Sequence, residues 1–317
     1  MRAAVIGSGS IGRRHVSALV ARADVERITV VTSWEGGAAA LPDDPRIAVI
    51  APGKAFDADV AIVAVDTDRH VAAAIPLLER GIDTLIEKPL SHTRDGLDAL
   101  ASATAASGAR AFVGYNLRFL PAVRLLRDLV SSGALGRVLY ARFEAGQYLP
   151  DWRPGRDYRE TYSASCARGG GVALDLSHEI DAMRFVVGDP RAASVVRRHV
   201  SDLEIDSDDL FEGRYDLAGG AIASVHLDYL APHRVRAYRV LGSAGEATCD
   251  IANGTLTVTH LGGEPTAETD PALFNVAATY PAQIDAFLAA HAGGDGDTLA
   301  TLAEGTRVLE LLEDSHA

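Results

Sequence analysis

Short apolar runs alternate with longer segments of helical character in the first third of the chain. The runs are AAVIG, ITVV, IAVI, DVAIVAV, TLIE and ARAFVGY. Continuous apolar runs of this kind are typical of strands buried on both faces of a parallel sheet. The segments between them predict helices over residues 10–21, 69–80 and 93–107. Strands that alternate with helices of this length predict an α/β domain with a doubly wound parallel sheet over residues 1–116.

The pattern changes after residue 116. A helix is predicted up to about residue 130 and a strand over residues 137–145, and further strand candidates are ASVVRRHV, DDLFEGRYDL, AIASVHLDYL, RAYRVLGS, GEATCDI and TLTVTH. Successive strands with short glycine-containing turns predict a mostly antiparallel open sheet. Two helices, over residues 281–291 and 298–313, close the chain. We therefore expect a second domain of α+β type over residues 117–317.

Composition limits the classes of protein that the chain can represent. It has 317 residues, of which 48% are hydrophobic and 23% charged, which is typical of a globular protein with two domains. A net charge of −13 argues against a nucleic-acid partner. No apolar run approaches the roughly 20 residues of a membrane helix, and the N-terminus does not resemble a signal peptide. With Cys166 and Cys249 far apart in sequence, we expect a cytoplasmic protein without disulfides.

A glycine-rich turn follows the first predicted strand. GSGSIG places Gly7, Gly9 and Gly12 at G-x-G-x-x-G spacing, between a strand and a helix, as a dinucleotide-binding turn requires. Gly7 would allow the tight turn, Gly9 the approach of a pyrophosphate and Gly12 the close packing of helix on strand. The predicted cofactor contacts in this turn are Gly7, Gly9, Ser10, Ile11, Gly12 and Arg13.

The end of the second predicted strand bears on the choice of dinucleotide. An acidic residue that would bind the ribose of NAD is missing there, and the chain offers Thr32 and Ser33. Arg13 or Arg14 could bind the 2′-phosphate of NADP, although both could equally be solvated helix charges. The sequence predicts an NAD(P) site with a slight preference for NADP.

The segment DTLIEKPLS places a charged pair at the end of a predicted strand. Glu87 and Lys88 follow the apolar run, and Pro89 ends it. Ligands of open α/β sheets bind at this edge, where a lysine beside a nicotinamide could polarise a carbonyl or hydroxyl oxygen. The alternative is an ordinary salt bridge at a strand end.

The segment GGGVALDLSHEID carries four ionisable side chains after three glycines. A helix over this segment would place Asp175, His178 and Asp181 on one side, at i, i+3 spacing. That side could face a ligand or only solvent. A zinc-protease helix is a worse candidate because Ala182 stands where a second histidine would be needed, and we expect no metal site.

These motifs together resemble those of the glucose–fructose oxidoreductase, inositol dehydrogenase and MocA family. The segments that carry the resemblance are GSGSIGRRH, VAVDTDRH, EKPL, VGYNLRFLPAV and GGGVALDLSHEID. They stand in the order of the family and cover about the first 190 residues. The glycine turn occurs in many dehydrogenases, but its combination with EKP and the triple glycine is specific.

The resemblance implies roles for single residues. Lys88 would be catalytic and would lie beside the nicotinamide, and the Lys88–Pro89 peptide would be a candidate for the cis form. Arg118 matches the NxRF segment that leads into the second domain. His70 could instead be a helix residue without a ligand. Positions that would line the cofactor are Thr67, His70, Glu87, Lys88 and Asn116, the last near the nicotinamide ribose.

The resemblance also implies that an aspartate and a histidine meet the reacting hydroxyl. His178 would exchange the hydroxyl proton while hydride moves to or from the nicotinamide, and Asp175 would orient His178 or hold a sugar hydroxyl. The common family pattern has three residues between the two, whereas this chain has two, Leu176 and Ser177. Asp175 therefore either reaches the site with altered aim or has lost the family role. No task is assigned to Glu179.

An aromatic and arginine-rich segment, QYLPDWRPGRDYRETYSAS, precedes the triple glycine. Aromatic faces and guanidinium groups suit sugar rings, carboxylates and phosphates. We expect substrate contacts from Tyr158, Arg159 and Tyr162, together with Asp175 and His178, and cofactor contacts from Trp152 and Arg153. An ordered loop without contacts is the alternative for each.

The sequence thus predicts an NAD(P)-dependent oxidoreductase that acts on a secondary hydroxyl or ketone of a sugar, nucleotide sugar or cyclitol. Two alternatives are a dinucleotide-binding sensor without catalysis and a reductase of a non-sugar carbonyl or imine. A sensor would need none of Lys88, Asp175 and His178. By analogy with the family, we expect a homodimer or homotetramer formed through the sheet of the second domain.

Overall fold

The computed structural model describes residues 1–313. Its strands are β1 (Arg2–Ile6), β2 (Arg27–Val31), β3 (Ile47–Ile50), β4 (Val60–Val63), β5 (Asp83–Ile86), β6 (Ala111–Val113), β7 (Val138–Gly146), β8 (Ala192–Arg198), β9 (Leu210–Asp216), β10 (Ile222–Asp228), β11 (Val235–Gly242), β12 (Gly245–Asp250), β13 (Thr255–His260), β14 (Thr266–Glu268) and β15 (Ala300–Thr301). Its α-helices are α1 (Ser10–Val20), α2 (Glu35–Ala39), α3 (His70–Glu79), α4 (Leu97–Ser107), α5 (Pro121–Ser131), α6 (Val172–Asp175), α7 (His178–Val187), α8 (Thr279–His291) and α9 (Leu302–Leu311).

The chain divides into two compact units. The first comprises residues 1–116 and 277–306, and the second comprises residues 117–276 and 307–313. The division predicted from sequence placed everything after residue 116 in the second domain. The structure differs because α8 packs on α1 and β15 pairs with β6, so residues 277–306 complete the first unit.

The first unit is built on a seven-stranded sheet in the order β15-β6-β5-β4-β1-β2-β3. All of its pairings are parallel except that of β15 with β6, so the predicted doubly wound sheet is confirmed. The strand interiors are apolar and fully buried, as at Val5, Val30, Ile62 and Leu85. Burial on both faces explains why these strands read as continuous apolar runs. The parallel order brings the carboxyl ends of β1, β4 and β5 to one edge.

The second unit contains an eight-stranded sheet in the order β14-β13-β12-β11-β7-β10-β9-β8. Only the β7–β10 pairing is parallel, so the predicted mostly antiparallel sheet is also confirmed. Alternate residues point to one buried face, where Phe143, Phe211 and Tyr238 are fully covered. Helix α7 packs on β7 and β10, and α6 packs on β9 and β10. The strands thereby hold the segment that carries Asp175 and His178.

Two further properties concern membrane spans and the cysteines. No helix within residues 1–313 is long and apolar enough to cross a membrane. Both cysteines are free thiols, with Cys166 exposed and Cys249 buried in β12.

Candidate active site

The glycine turn between β1 and α1 is shaped by close backbone contacts. Gly7 adopts a φ of 107°, and its N–H donates to the Val31 carbonyl at 2.9 Å. A β-carbon at Gly7 would collide with the carbonyl of Ala64, and one at Gly12 would collide with the carbonyl of Gly7. A β-carbon at Gly9 would meet nothing within 4 Å, and no side chain caps α1. The free N–H groups and open space at Gly9 fit the pyrophosphate of a dinucleotide.

The end of β2 is tied to this turn by hydroxyl contacts. The hydroxyls of Ser8 and Thr32 are 2.8 Å apart, and Thr32 also accepts the N–H of Trp34 at 3.1 Å. Arg13 donates to the Ser8 carbonyl at 3.1 Å and lies over the Trp34 ring, 5.6 Å from its centroid. Ser33 is exposed beside them. Arg13 is thus placed at the end of β2.

Arg14 points elsewhere, towards α8. Its guanidinium lies 5.1 Å from the centroid of the Tyr280 ring. Of the two arginines considered from sequence for a 2′-phosphate, only Arg13 contacts residues at the end of β2.

Lys88 follows β5 in a turn that is fixed on both sides. The Lys88–Pro89 peptide is cis, as the resemblance implied. The buried Glu87 carboxylate accepts the N–H of Lys88 at 3.1 Å through Oε2 and contacts Nε2 of His15 at 2.6 Å through Oε1. Burial acts to raise the pKa of Glu87, but the hydrogen bond and charge of His15, with Lys88 nearby, outweigh burial and hold that pKa below its ordinary value. Glu87 is therefore a buried anion that anchors the lysine turn.

His70 holds the same turn from its other side. It is buried at the start of α3, with Nδ1 2.8 Å from the Pro89 carbonyl and Nε2 3.1 Å from the Val65 carbonyl. Burial lowers the pKa of His70, against the opposing effect of these carbonyls. A neutral ring donates to one carbonyl only, and the shorter contact assigns that proton to Nδ1. The contacts that the structure shows for His70 are with backbone, and they join the loops after β4 and β5.

Two further residues predicted to line the cofactor lie in the same unit. Thr67 is buried and begins a short 3₁₀ helix, Thr67–Arg69, after β4. Asn116 is buried and donates its side-chain amide to the Thr279 hydroxyl at 2.6 Å. This contact ties the end of the first segment to the start of α8.

The triple glycine makes close contacts with its own chain. Gly169 and Gly171 have φ values of 77° and 115°. A β-carbon at Gly170 would collide with the carbonyls of Tyr162, Ser163 and Ser165, and one at Gly171 would collide with the Asp208 carboxylate. Asp208 also accepts the N–H of Ala173 at 2.9 Å, at the start of α6. These glycines therefore allow their segment to pass close to the backbone of residues 162–165 and to the Asp208 side chain.

The segment after the glycines is not the single helix that its periodicity predicts. Helix α6 ends at Asp175, Leu176 and Ser177 form a turn, and α7 begins at His178. The predicted i, i+3 relationship of Asp175 and His178 within one helix is therefore wrong. The two-residue spacing places Asp175 at the end of one helix and His178 at the start of the next.

The polar side chains of this segment do not form a solvated face. Every residue from 171 to 183 is buried except His178. The Asp181 carboxylate accepts hydrogen bonds from Nε and Nη2 of Arg118, at 2.9 and 2.7 Å. The Glu179 carboxylate accepts a hydrogen bond from the Tyr238 hydroxyl at 3.0 Å, and its Oε1 lies 2.8 Å from Nε of Arg236. Bidentate and paired contacts of this kind stabilise buried carboxylates. His178 alone is left accessible to a ligand.

Asp175 is held by tyrosines. Its Oδ2 accepts the Tyr229 hydroxyl at 2.6 Å. Burial, and after it the charge of Asp175, raises the pKa of Tyr229 well above its ordinary value. Burial and the charge and hydrogen bond of Asp175 likewise raise the pKa of Tyr162. Both phenols therefore stay protonated and can donate to the carboxylate.

The aromatic and arginine-rich segment is divided between two places. Tyr158 accepts the N–H of Glu204 at 3.2 Å through its hydroxyl, and Arg159 pairs at the surface with Asp157 and Glu204. Trp152 and Arg153, predicted to contact the cofactor, line a pocket within the second unit. Trp152 packs edge-on against Tyr229, with ring centroids 5.1 Å apart.

Sequence reasoning missed His15, Tyr229, Arg234 and Arg236. The histidine stands three residues after the glycine motif, in GSGSIGRRH, so its place one turn into α1 was a usable signal. The other three lie on or beside β10 and β11, where nothing in the local sequence indicates a site. No group of three or more His, Cys, Asp or Glu side chains within residues 1–313 is arranged to hold a metal ion.

Family models match both parts of the chain. Residues 1–115 match the oxidoreductase family with an NAD-binding Rossmann fold, and residues 123–248 match the GFO/IDH/MocA C-terminal domain. Together they cover about three quarters of the 317 residues. The chain belongs to the Gfo/Idh/MocA family of oxidoreductases. The protein is accordingly an NAD(P)-dependent enzyme.

Individual relatives are similar over most of their length. The 1,5-anhydro-D-fructose reductase of Ensifer adhaerens is 26% identical over 331 aligned residues, which cover 99% of this chain and 96% of the relative. The inositol 2-dehydrogenase of Rhodococcus erythropolis is 27% identical over 83% of this chain and 75% of its own. The structure of levoglucosan dehydrogenase in complex with NADH superposes with a TM-score of 0.84, at 20% identity, over 98% of this chain and 95% of that one. That last likeness establishes the fold.

Proposed function

We propose that this enzyme transfers hydride between a nicotinamide dinucleotide and a secondary hydroxyl or ketone of a sugar, nucleotide sugar or cyclitol. The relatives act on substrates of this kind by their names, a reductase of an anhydro sugar and a dehydrogenase of inositol. The observation that carries the proposal is the fixed position of Lys88 at the end of β5, in a turn anchored by Glu87 and His70.

The glycine turn would hold the dinucleotide. Its pyrophosphate would meet the free N–H groups of Ser10, Ile11 and Gly12 at the start of α1, where Gly9 leaves space. When bound, the nicotinamide ring supplies a hydride acceptor or donor. We assign to Arg13 the binding of the 2′-phosphate of NADP, because Arg13 contacts the end of β2. Positions 32 and 33 carry Thr32 and Ser33, so no acidic side chain there would repel the phosphate.

Lys88 and His178 would act on the reacting hydroxyl. The Lys88 ammonium group would bind the hydroxyl oxygen and stabilise the negative charge that develops when the proton leaves. His178, the accessible residue in a buried segment, would take that proton during oxidation and return it during reduction. Asp175 would contribute a fixed negative charge, because Tyr229 and Tyr162 both direct their hydroxyls at it.

We also propose a cytoplasmic homodimer or homotetramer formed through the second unit. The buried face of its sheet carries α6 and α7, and the opposite face presents half-buried polar residues such as Tyr140, Arg142 and Glu144 of β7. Light scattering of the purified protein at micromolar concentration measures this state directly. A monomer would contradict the proposal.

The function is tested by turnover with sugars and by one pair of variants. Formation of NADH or NADPH is followed by absorbance over a panel of sugars and inositols. Lys88→Met should lower kcat by about two orders of magnitude or more and leave dinucleotide binding nearly unchanged, since the side chain acts in the transition state. Lys54→Met, at the only other lysine in the sequence, is the matched control. Normal kcat in Lys88→Met would remove Lys88 from the mechanism.

A further inference from the structure

A pocket lined by three arginines lies within the second unit. Its volume is about 240 Å³. Its wall is formed by the end of β7 and the residue after it, by the start of β11 and the residue before it, and by three residues elsewhere: Ala145, Gly146, Gln147, Trp152, Arg153, Leu176, Arg234, Val235 and Arg236. This volume is below the roughly 300–1,000 Å³ of drug-sized sites and suits a small polar molecule or one group of a larger one.

The positive charge of this pocket is only partly neutralised. Arg236 is paired with the buried Glu179, with Nε and Oε1 2.8 Å apart. The Arg153 guanidinium lies over the Tyr162 ring, 5.1 Å from its centroid. Arg234 makes no hydrogen bond or ion pair with any residue from 1 to 313. The Arg234 side chain is exposed, yet partial desolvation of its guanidinium, and after it the charge of Arg236, lowers the pKa of Arg234. An arginine held next to another without a carboxylate of its own favours an anionic ligand.

The pocket is connected to the segment that carries the candidate catalytic residues. Leu176, in the turn between α6 and α7, is part of its wall. The Trp152 ring packs on Tyr229, and the hydroxyl of Tyr229 donates to Asp175. Arg236 pairs with Glu179, the residue after His178. A molecule in this pocket therefore lies beside the turn that separates Asp175 from His178.

We propose that the pocket binds an anionic group of the substrate, a carboxylate or a phosphate, through Arg234 with Arg236 and Arg153. That the ligand is the substrate rests on the proposed function. If it is, the pocket narrows the substrate to an acidic sugar or a sugar phosphate. The planar guanidinium of Arg234 supplies two parallel donors that match either oxyanion. Trp152 supplies an apolar face against which a sugar ring can pack.

The test compares matched neutral and anionic sugars on the protein saturated with NAD or NADP. Dissociation constants are measured by titration calorimetry for glucose, glucuronate and glucose 6-phosphate, and for galactose and galacturonate. We expect at least one anionic sugar to bind ten times or more tightly than its neutral counterpart, with affinity that falls as salt rises. Comparison of glucuronate with glucose 6-phosphate shows whether the pocket binds a carboxylate or a phosphate.

Arg234→Gln should weaken binding of the anionic sugar about tenfold or more and leave that of glucose unchanged. This variant removes no hydrogen bond or ion pair within residues 1–313, whereas a change at Arg236 would remove the ion pair that Glu179 forms in the interior. Arg234→Lys keeps the charge but not the paired donors and should have an intermediate effect. The matched control is Arg239→Gln, in β11, where Arg239 pairs with Glu246 at the surface.

The outcomes separate this inference from the proposed function. If neutral sugars are turned over and the anionic ones bind no better, or Arg234→Gln changes nothing, the anion pocket is wrong and the proposed function stands. If an anionic sugar binds through Arg234 but no sugar is oxidised or reduced with either dinucleotide, the pocket is confirmed and the proposed function fails.

Discussion

Nε2 of His15 and Oε1 of Glu87 lie 2.6 Å apart, although 72 positions separate the two residues in sequence. Both are buried, and Glu87 also accepts the backbone N–H of Lys88. The pair therefore links the first helix, behind the glycine turn, to the turn that carries the candidate catalytic lysine. One buried contact therefore fixes the position of the glycine-turn helix relative to the turn that carries Lys88.

Removing one member of this pair should destabilise the fold. His15→Ala would leave the Glu87 carboxylate buried without its partner, and we expect a loss of about 3–5 kcal/mol in the free energy of unfolding. Glu87→Gln should cost less because the amide oxygen still accepts a hydrogen bond. His260→Ala, at an exposed histidine of β13, is the control. Urea unfolding measures all three, and equal midpoints for His15→Ala and His260→Ala would contradict the role of the pair.

The same pair should make stability depend on acid. The folded pKa of Glu87 lies below its ordinary value of 4.5, so the unfolded chain binds a proton at higher pH than the folded one. The resulting stabilisation is present above about pH 4.5 and is lost as pH falls through the folded pKa. The difference in unfolding free energy between the unmodified protein and Glu87→Gln should therefore shrink between pH 6 and pH 3. A constant difference over that range would exclude the carboxylate as its source.

His178 and Asp175 should differ in their effects on turnover. His178→Ala should lower kcat by about 10²–10⁴ and remove the dependence of kcat on pH near neutrality that a histidine base produces. Asp175→Asn should cost less, because Tyr229 can still donate to the remaining oxygen. Since Asp208 and not Asp175 binds the first turn of α6, loss of a helix cap is no explanation for an effect at Asp175. A pH–rate profile for each variant decides the assignment, and an unchanged profile for His178→Ala would refute it.

Arg13 should set the preference between dinucleotides. The unmodified protein is expected to bind NADP somewhat more tightly than NAD, and Arg13→Gln should weaken NADP about tenfold without affecting NAD. Ser33→Asp should reverse the order by repelling the 2′-phosphate. Arg14→Gln is the matched control, because Arg14 stacks on Tyr280. Fluorescence titration gives the dissociation constants, and tighter binding of NAD by the unmodified protein would defeat the idea.

The two thiols should react at very different rates. Burial raises the pKa of Cys249 to about 12, and this cysteine has no exposed surface, whereas Cys166 is exposed. Because the thiolate is the reactive form, a disulfide reagent at pH 8 should modify one thiol rapidly and the second only on unfolding. Cys166→Ser should abolish the rapid phase. Two rapid equivalents in the native protein would contradict the placement of Cys249 in the core.

The sequence by itself determined the alternation of strands and helices over residues 1–116, the glycine turn and the position of Lys88 after β5. These features depend on local patterns, namely apolar runs of strand length, glycine spacing and a proline that ends a strand. It also indicated the strands of the second sheet. Such signals are contained in neighbouring residues, so they can be read without the fold.

Only the tertiary structure decided which distant residues meet. The pairing of His15 with Glu87, of Asp175 with Tyr229 and of Glu179 with Arg236 joins residues 54 to 72 positions apart. The break after Asp175 was equally hidden, because the periodicity of the segment indicates one helix, whereas α6 and α7 pack on different pairs of strands. Contacts of this kind form when strands far apart in sequence become neighbours, and such neighbours leave no pattern along the chain.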